Sequence, residues 1–212
     1  MLGHNAVGLV WKGGFMDRQR NIGMRGTETR QRLVEAMLEL VNEGGMPVAA
    51  SVRSIARRAG VTEAVLYRYF PNKDAMFREV WSAVLAPMVQ AKLALIESDE
   101  GPPEALLESW IRVTYQHFDA DPAAFHYVYL SEGTAAWRED PAYRVQGDML
   151  ADWFAGVRPE AIQVGMTHAR LKDYFVATLL SVPREIRLGA LPGPACDHVE
   201  ETLAVSRGIF GI

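Results

Sequence analysis

The segment at residues 51–77, SVRSIARRAGVTEAVLYRYFPNKDAMF, constrains this chain more than any other. Ser51 is an N-cap residue type placed just before an apolar pattern. Val52, Ile55, Ala56 and Ala59 fall at helical spacing and share one face. Gly60 can take the left-handed conformation that ends a helix, and Val61 follows as an apolar plug. Thr62 is placed to cap a second helix, in which Val65, Leu66 and Phe70 share a face. Pro71 cannot continue that helix, and Asn72 is placed to cap a third. The pattern predicts two short helices joined by a tight turn, the first bracing the second. A braced helix with a polar outer face suits a DNA major groove about 12 Å wide. Helical hairpins are common, so this spacing alone is weak evidence.

The residues carry a longer match. Ile55, Ala56, Ala59, Gly60, Val61, Thr62, Leu66, Tyr67, Tyr69, Phe70, Pro71 and Lys73 spell I-A-x-x-A-G-V-T-x-x-x-L-Y-x-Y-F-P-x-K. With the amphipathic stretch before it, this resembles the signature of the tetracycline-repressor-like (TetR) family of bacterial transcription regulators, over residues 27–77. The resemblance implies an all-α, cytoplasmic, homodimeric DNA-binding regulator, more often a repressor than an activator. Its N-terminal three-helix head would carry the helix-turn-helix, and a helical-bundle body would bind an effector and dimerise. It further implies that Tyr67, Tyr69 and Lys73 contact phosphates. A phenol donates one hydrogen bond, which positions rather than reads, and Lys73 is a point charge beside a helix N-terminus. Tyr69 could instead belong partly to the core.

Base reading would then fall to Thr62, Glu63, Ala64 and Arg68. Arginine can bond guanine, a carboxylate can accept from cytosine N4, and Ala or the Thr methyl can touch thymine. Glu63 is the odd member, since a carboxylate near phosphates needs a partner. It could instead stabilise the helix N-terminus or pair with Arg53 or Arg57.

The net charge of −4 hides an asymmetry. Residues 1–73 hold eleven Lys and Arg against six Asp and Glu, a surplus of five positive charges, so the remainder carries −9. A basic head on an acidic body fits a protein that meets phosphates at one end. An architectural or nonspecific DNA binder is the alternative, and an acidic body argues against it by repelling neighbouring duplex. Cys196 is the single cysteine, which rules out an internal disulfide and fits a reducing cytosol. The chain offers no apolar run near the roughly 18–20 residues of a membrane helix. The opening MLGHNAVGLVWKGGF is broken by glycines and makes a poor signal peptide.

Residues 1–26 lack periodicity and are expected to form a flexible arm, whose Arg18, Arg20 and Arg25 could reach DNA. Residues 27–73 are expected to form the DNA-binding head and 74–212 the effector and dimerisation body. In the head, Leu33, Val34, Met37, Leu40 and Val41 put one apolar face on a helix over 27–43, where Arg30 and Arg32 are more simply solvated than near phosphate. A helix from Lys73 to about Glu97 would link head and body.

Further helices are expected over residues 104–119, 122–132, 141–156 and 167–182, with Pro183 ending or kinking the last, and from Ala195 onward. The apolar stripes of the last two, including Leu179 and Leu203, are expected to pair across a two-fold axis. Trp110, Thr114, His117, Phe118, His126, Tyr129, Met149, Trp153 and Tyr174 are candidates for a pocket taking a small apolar or aromatic effector. Taken singly, each reads equally as core with a satisfied polar tip.

His117, His126 and His168 lie on three different helices. There is no HExxH, GxSxG, Gly-rich phosphate loop or CxxC, so no enzyme, cofactor or metal site is expected.

Overall fold

The computed structural model describes residues 24–44, 51–98, 101–131, 141–156 and 167–211. Every described element is helical. In order they are α1 (Met24–Gly44), α2 (Val52–Arg58), α3 (Glu63–Tyr69), α4 (Lys73–Glu97), α5 (Pro103–Ala120), α6 (Pro122–Phe125), a π-helical turn (His126–Leu130), α7 (Pro141–Gly156), α8 (His168–Arg187), a 3-10 turn (Ala195–His198) and α9 (Val199–Phe210). Residues 1–23, with Arg18 and Arg20, lie outside the described residues, and α1 begins at Met24. The side chains of Arg25, Val41 and His168 lie outside them too.

The chain forms two compact units, the first taking residues up to Pro87 together with 123–138, the second the remainder. In the first, local chemistry sets each helix end. Ser51 Oγ accepts from Ser54 N at 3.0 Å, Thr62 Oγ1 from Val65 N at 3.3 Å, and Asn72 Oδ1 from Ala75 N at 2.7 Å. Gly60 sits at φ +67°, a conformation that side chains other than glycine's rarely tolerate. Val61 N then returns to Ala56 O at 2.9 Å and closes the turn. Leu33, Val34 and Met37 of α1, Ile55 and Ala56 of α2, and Leu66 and Phe70 at α3 are all buried, forming one small core.

The same unit extends past residue 73. Met76, Phe77, Val80 and Trp81 of α4 are buried. Tyr127 of the π-helical turn donates its hydroxyl to the Phe77 carbonyl at 2.6 Å, and the two rings sit 6.4 Å apart. Of the single helix expected over 122–132, residues 122–130 thus split into a short α turn and a π turn.

In the second unit α5 packs on α9, α9 on α8, and α8 on α7. Leu107, Ile111, Leu171, Phe175, Val199 and Phe210 fill the interior. The Tyr115 hydroxyl meets Thr202 Oγ1 at 2.7 Å across α5 and α9. Asp119 accepts from Ala195 N at 2.6 Å and Cys196 N at 2.9 Å, which anchors the 3-10 turn.

Two expectations change. Pro183 does not end α8, which runs on through it to Arg187 and stops before Gly189 at φ +73°. One missing N–H weakens a 20-residue helix without breaking it when the stripe around it is buried. The apolar stripes of the last two helices do not point outward either. Leu179 and Leu203 (1% exposed) belong to the unit's own core, because they close the space against α5 and each other's helix.

By length and composition α4 could cross a membrane, which the sequence reading did not flag. Its buried Met76, Phe77, Val80, Trp81, Leu85, Met88, Val89 and Lys92 recur at helical spacing, the pattern of a core helix.

Candidate nucleic-acid interface and ligand site

Short α3 gains its direction from two anchors, Leu66 and Phe70, both fully buried. Their opposite face is open: Thr62, Glu63, Ala64, Tyr67 and Arg68 are all exposed. These five residues run from the N-cap to the last turn of α3, nearly two turns, a surface that a major groove can accept. Tyr69 is half-buried, between surface and core. Lys73 is half-buried as the first residue of α4, with its ammonium 5.2 Å from the Phe77 ring centroid. Glu63 occupies the first helical position of α3, where a carboxylate favours the helix dipole. Among the described residues it makes no ion pair with Arg53 or Arg57.

The head's positive charges divide into two kinds. Arg58 of α2 is bound to α1 through Glu39 (3.0 Å) and Glu43 (2.7 Å). That hydrogen bond from Arg58 holds the Glu43 carboxyl below its ordinary range. Arg30 is paired with Glu79 of α4 and lies 5.1 Å from the Phe70 ring centroid. It therefore braces α1 against the end of α3 and the start of α4. Arg53, Arg57 and Arg68 are exposed and enter no ion pair among the described residues. Arg32 and Arg78 are likewise exposed and in no ion pair among the described residues, and the five together are available to meet an outside polyanion.

In the second unit, Leu106, Leu107, Trp110, Leu150 and Trp153 line a closed apolar seam. It has no room for a water-sized sphere in this conformation. Trp110 and Trp153 are thus brought together. Phe118 is buried and Met149 half-buried in the same unit. Thr114 spends its hydroxyl on the Trp110 carbonyl at 2.8 Å. His117 is half-buried, and burial, helped by the charge of Lys92, pushes its pKa down to about 4, so the ring is neutral at pH 7. Tyr174 is 48% exposed, with Arg170 stacked 5.6 Å from its ring centroid. His126 and Tyr129 are buried in the first unit, where Tyr129 packs on Phe125 at 4.8 Å.

Lys92 escaped the sequence reading. It is 4% exposed, donates to Gln146 Oε1 at 2.8 Å, and lies 4.8 Å from the Trp110 ring centroid. Burial pushes its pKa from the usual lysine range down to about 7. The signal was present: Leu85, Met88, Lys92 and Leu95 lie at helical spacing, so one charge interrupts an apolar stripe.

Comparison with known proteins agrees with this geometry. Residues 33–80 match the family model for bacterial regulatory proteins, tetR family. The HTH-type transcriptional regulator BetI of Escherichia coli (strain K12 / DH10B) is 27% identical over 126 residues, 59% of this chain. The match spans 63% of that relative's length. Among solved structures, the fatty acid degradation regulator FadR from Bacillus halodurans superposes with a TM-score of 0.68 at 15% identity, over 86% of this chain and 98% of that one. FadR from Bacillus subtilis, solved with stearoyl-CoA, gives 0.65 at 16% identity, covering 86% and 98%. The ketosteroid regulator KstR2 of Mycobacterium tuberculosis gives 0.63 at 19% identity, covering 84% and 93%. At these identities the structural likeness is one of fold.

Proposed function

We infer that this chain, a member of the tetR family of bacterial regulatory proteins and hence a DNA-binding transcription regulator, works as a dimeric repressor released from a palindromic operator by a small effector. The observation that carries the reading is the exposed face of α3, seated on buried Leu66 and Phe70 and flanked by charges with no ion-pair partner among the described residues. Tyr67, Tyr69 and Lys73 take the phosphates, while Thr62, Glu63, Ala64 and Arg68 face the bases. The effector enters the second unit at the seam between Trp110 and Trp153. Helix α4 runs unbroken from Lys73, a phosphate contact in this reading, to Glu97 in the second unit, and is the element through which an effector acts on the head.

A purely nonspecific binder would use the same phosphate contacts without base preference, so selection of bound sequences from a random DNA pool separates the two. The expected product is a palindrome, because a two-fold dimer reads two copies of one half-site. Arg68→Ala should then relax preference at one base pair per half-site, at roughly 1–3 kcal/mol each on the preferred sequence. Recovery of a single asymmetric element would sink the dimeric reading.

Phosphate contacts behave differently. Lys73→Ala should weaken binding about equally on every sequence and flatten the salt dependence by roughly one counterion per half-site. Tyr67→Phe removes one hydroxyl and should lower affinity uniformly with the slope retained. A Lys73→Ala protein with unaltered affinity and salt slope would show that Lys73 touches no phosphate.

A further inference from the structure

The joint between α3 and α4 sets where the base-facing side chains lie relative to Lys73. It is three residues long, and no helix runs through it. Phe70 leaves the helical conformation at φ −131° and ψ 119°, Pro71 follows, and Asn72 caps α4. The angle between the two helices therefore depends on side chains that hold both ends. One end is fixed by Phe70, which is buried. The other is fixed at Phe77, whose carbonyl receives the Tyr127 hydroxyl at 2.6 Å.

Arg30 touches both ends at once. It stands on the apolar face of α1, at helical spacing from Leu33, Val34 and Met37. Its guanidinium carbon lies 5.1 Å from the Phe70 ring centroid, on the α3 side of the joint. Its Nε donates to Glu79 Oε1 at 2.8 Å, and Nη2 donates to the same oxygen, on the α4 side. A planar guanidinium can stack on a ring and bond a carboxylate at its edge, which the compact ammonium of a lysine does not reproduce. The two side chains are 14% and 28% exposed, so water screens the pair less than it would at the surface. Arg58 has a different place. It is exposed and bonds Glu39 and Glu43, and both partners belong to α1 and neither to the joint.

We propose that Arg30 and Glu79 are positioning residues for DNA recognition: the pair fixes the angle between α3 and the first turns of α4, and so the distance from the base-facing side chains to Lys73. This rests on the reading of α3 and Lys73 as the DNA surface. A recognition surface tolerates misplacement of only about 0.5 Å. Phosphate contacts carry no sequence information, so binding to random duplex is far less sensitive to that angle than binding to a preferred sequence. The opposite charges of the two residues separate this role from a general electrostatic one. Acting through the field alone, loss of Arg30 would weaken binding to every duplex and loss of Glu79 would strengthen it. Acting through the joint, either loss lowers the preference for one sequence over others.

The test uses the full chain. It measures affinity for the sequence selected from a random pool and for a random duplex of equal length, and takes the ratio. Arg30→Met and Glu79→Ala should each lower that ratio by about tenfold, although they change the charge in opposite directions. The double variant should lose no more than about twofold beyond either single one, since the same interaction is removed in all three. Arg58→Met deletes the same charge as Arg30→Met and should leave the ratio within about twofold. A loss of folded protein would lower both affinities together and leave the ratio in place, and circular dichroism on the same samples measures the folded fraction. If either truncation fails to fold, Arg30→Lys and Glu79→Gln take its place, with a fall of at least about threefold expected. A ratio unaltered in either single variant overturns the proposal. So do losses that multiply in the double variant, or an equal loss in Arg58→Met. A wild type that prefers no sequence ends the reading of α3 itself, and the inference with it. A preference that every variant keeps ends the inference alone.

Discussion

Leu203→Asp is expected to unfold the protomer, whereas Val205→Asp two residues away is expected to leave it folded and, if the proposed dimer pairs through the outer face of α9, to separate it. Both lie on α9, but on opposite faces. Leu203 is 1% exposed, between α5 and α8, and an aspartate there buries a carboxylate in hydrocarbon and deletes the packing of a leucine. That combination costs about 4 kcal/mol or more, a large part of the 5–15 kcal/mol that holds a typical domain. Val205 is 55% exposed, and beside it Ala204 and Gly208 are exposed and small, so a second helix could approach closely. A charge at such a position alters protomer stability by no more than about 0.5 kcal/mol. Across a two-fold axis it would set two carboxylates against each other. The linked second head is then lost, and operator affinity should fall by roughly 10²–10⁴. Circular dichroism, light-scattering mass and operator titration of the two variants decide the matter. A folded Leu203→Asp dimer would mean that the burial assigned to this residue is wrong. A Val205→Asp protein that stays dimeric would place the interface elsewhere.

The contrast shows what the sequence could and could not carry. Periodicity identified the stripe containing Leu179 and Leu203, but a stripe states only that a helix buries one face. It does not say whether the cover is another helix of the same chain or a second copy. Here α5 supplies the cover. The helix-turn-helix was legible residue by residue, because its determinants are local: caps at Ser51, Thr62 and Asn72, a left-handed Gly60, a stop at Pro71. The body was legible as helices and not as a site. Trp153 and Trp110 line one seam from α7 and α5, and Lys92 meets Gln146 over 54 residues of chain, neither of which any local pattern encodes. His126 and Tyr129 look like pocket residues in composition, yet they fall in the unit that holds the helix-turn-helix. Arg30 looked like a solvated charge, and a partner 49 residues away on α4 made it a brace.

Lys92→Met is expected to stabilise the protein at neutral pH, and by an amount that shrinks as pH rises. In the folded chain burial holds the Lys92 pKa near 7, while in the unfolded chain it returns to the ordinary 10.5. Between those values the unfolded state binds a proton that the folded state does not, so stability rises with pH across that window. The cost of burying the ammonium is fully present below pH 7 and gone above 10.5. A shift of that size corresponds to a cost on the order of 5 kcal/mol. Methionine has the length without the charge and avoids this cost, but it forfeits the hydrogen bond to Gln146, which returns about 1–3 kcal/mol of the gain. The variant should therefore be about 2–4 kcal/mol more stable at pH 7. Its advantage should fall by roughly 1.4 kcal/mol per pH unit between pH 7.5 and 9.5. His117 stays neutral throughout that range and drops out of the difference. Urea unfolding of both proteins at fixed protomer concentration measures it, and parallel stability curves would show that Lys92 keeps its ordinary pKa.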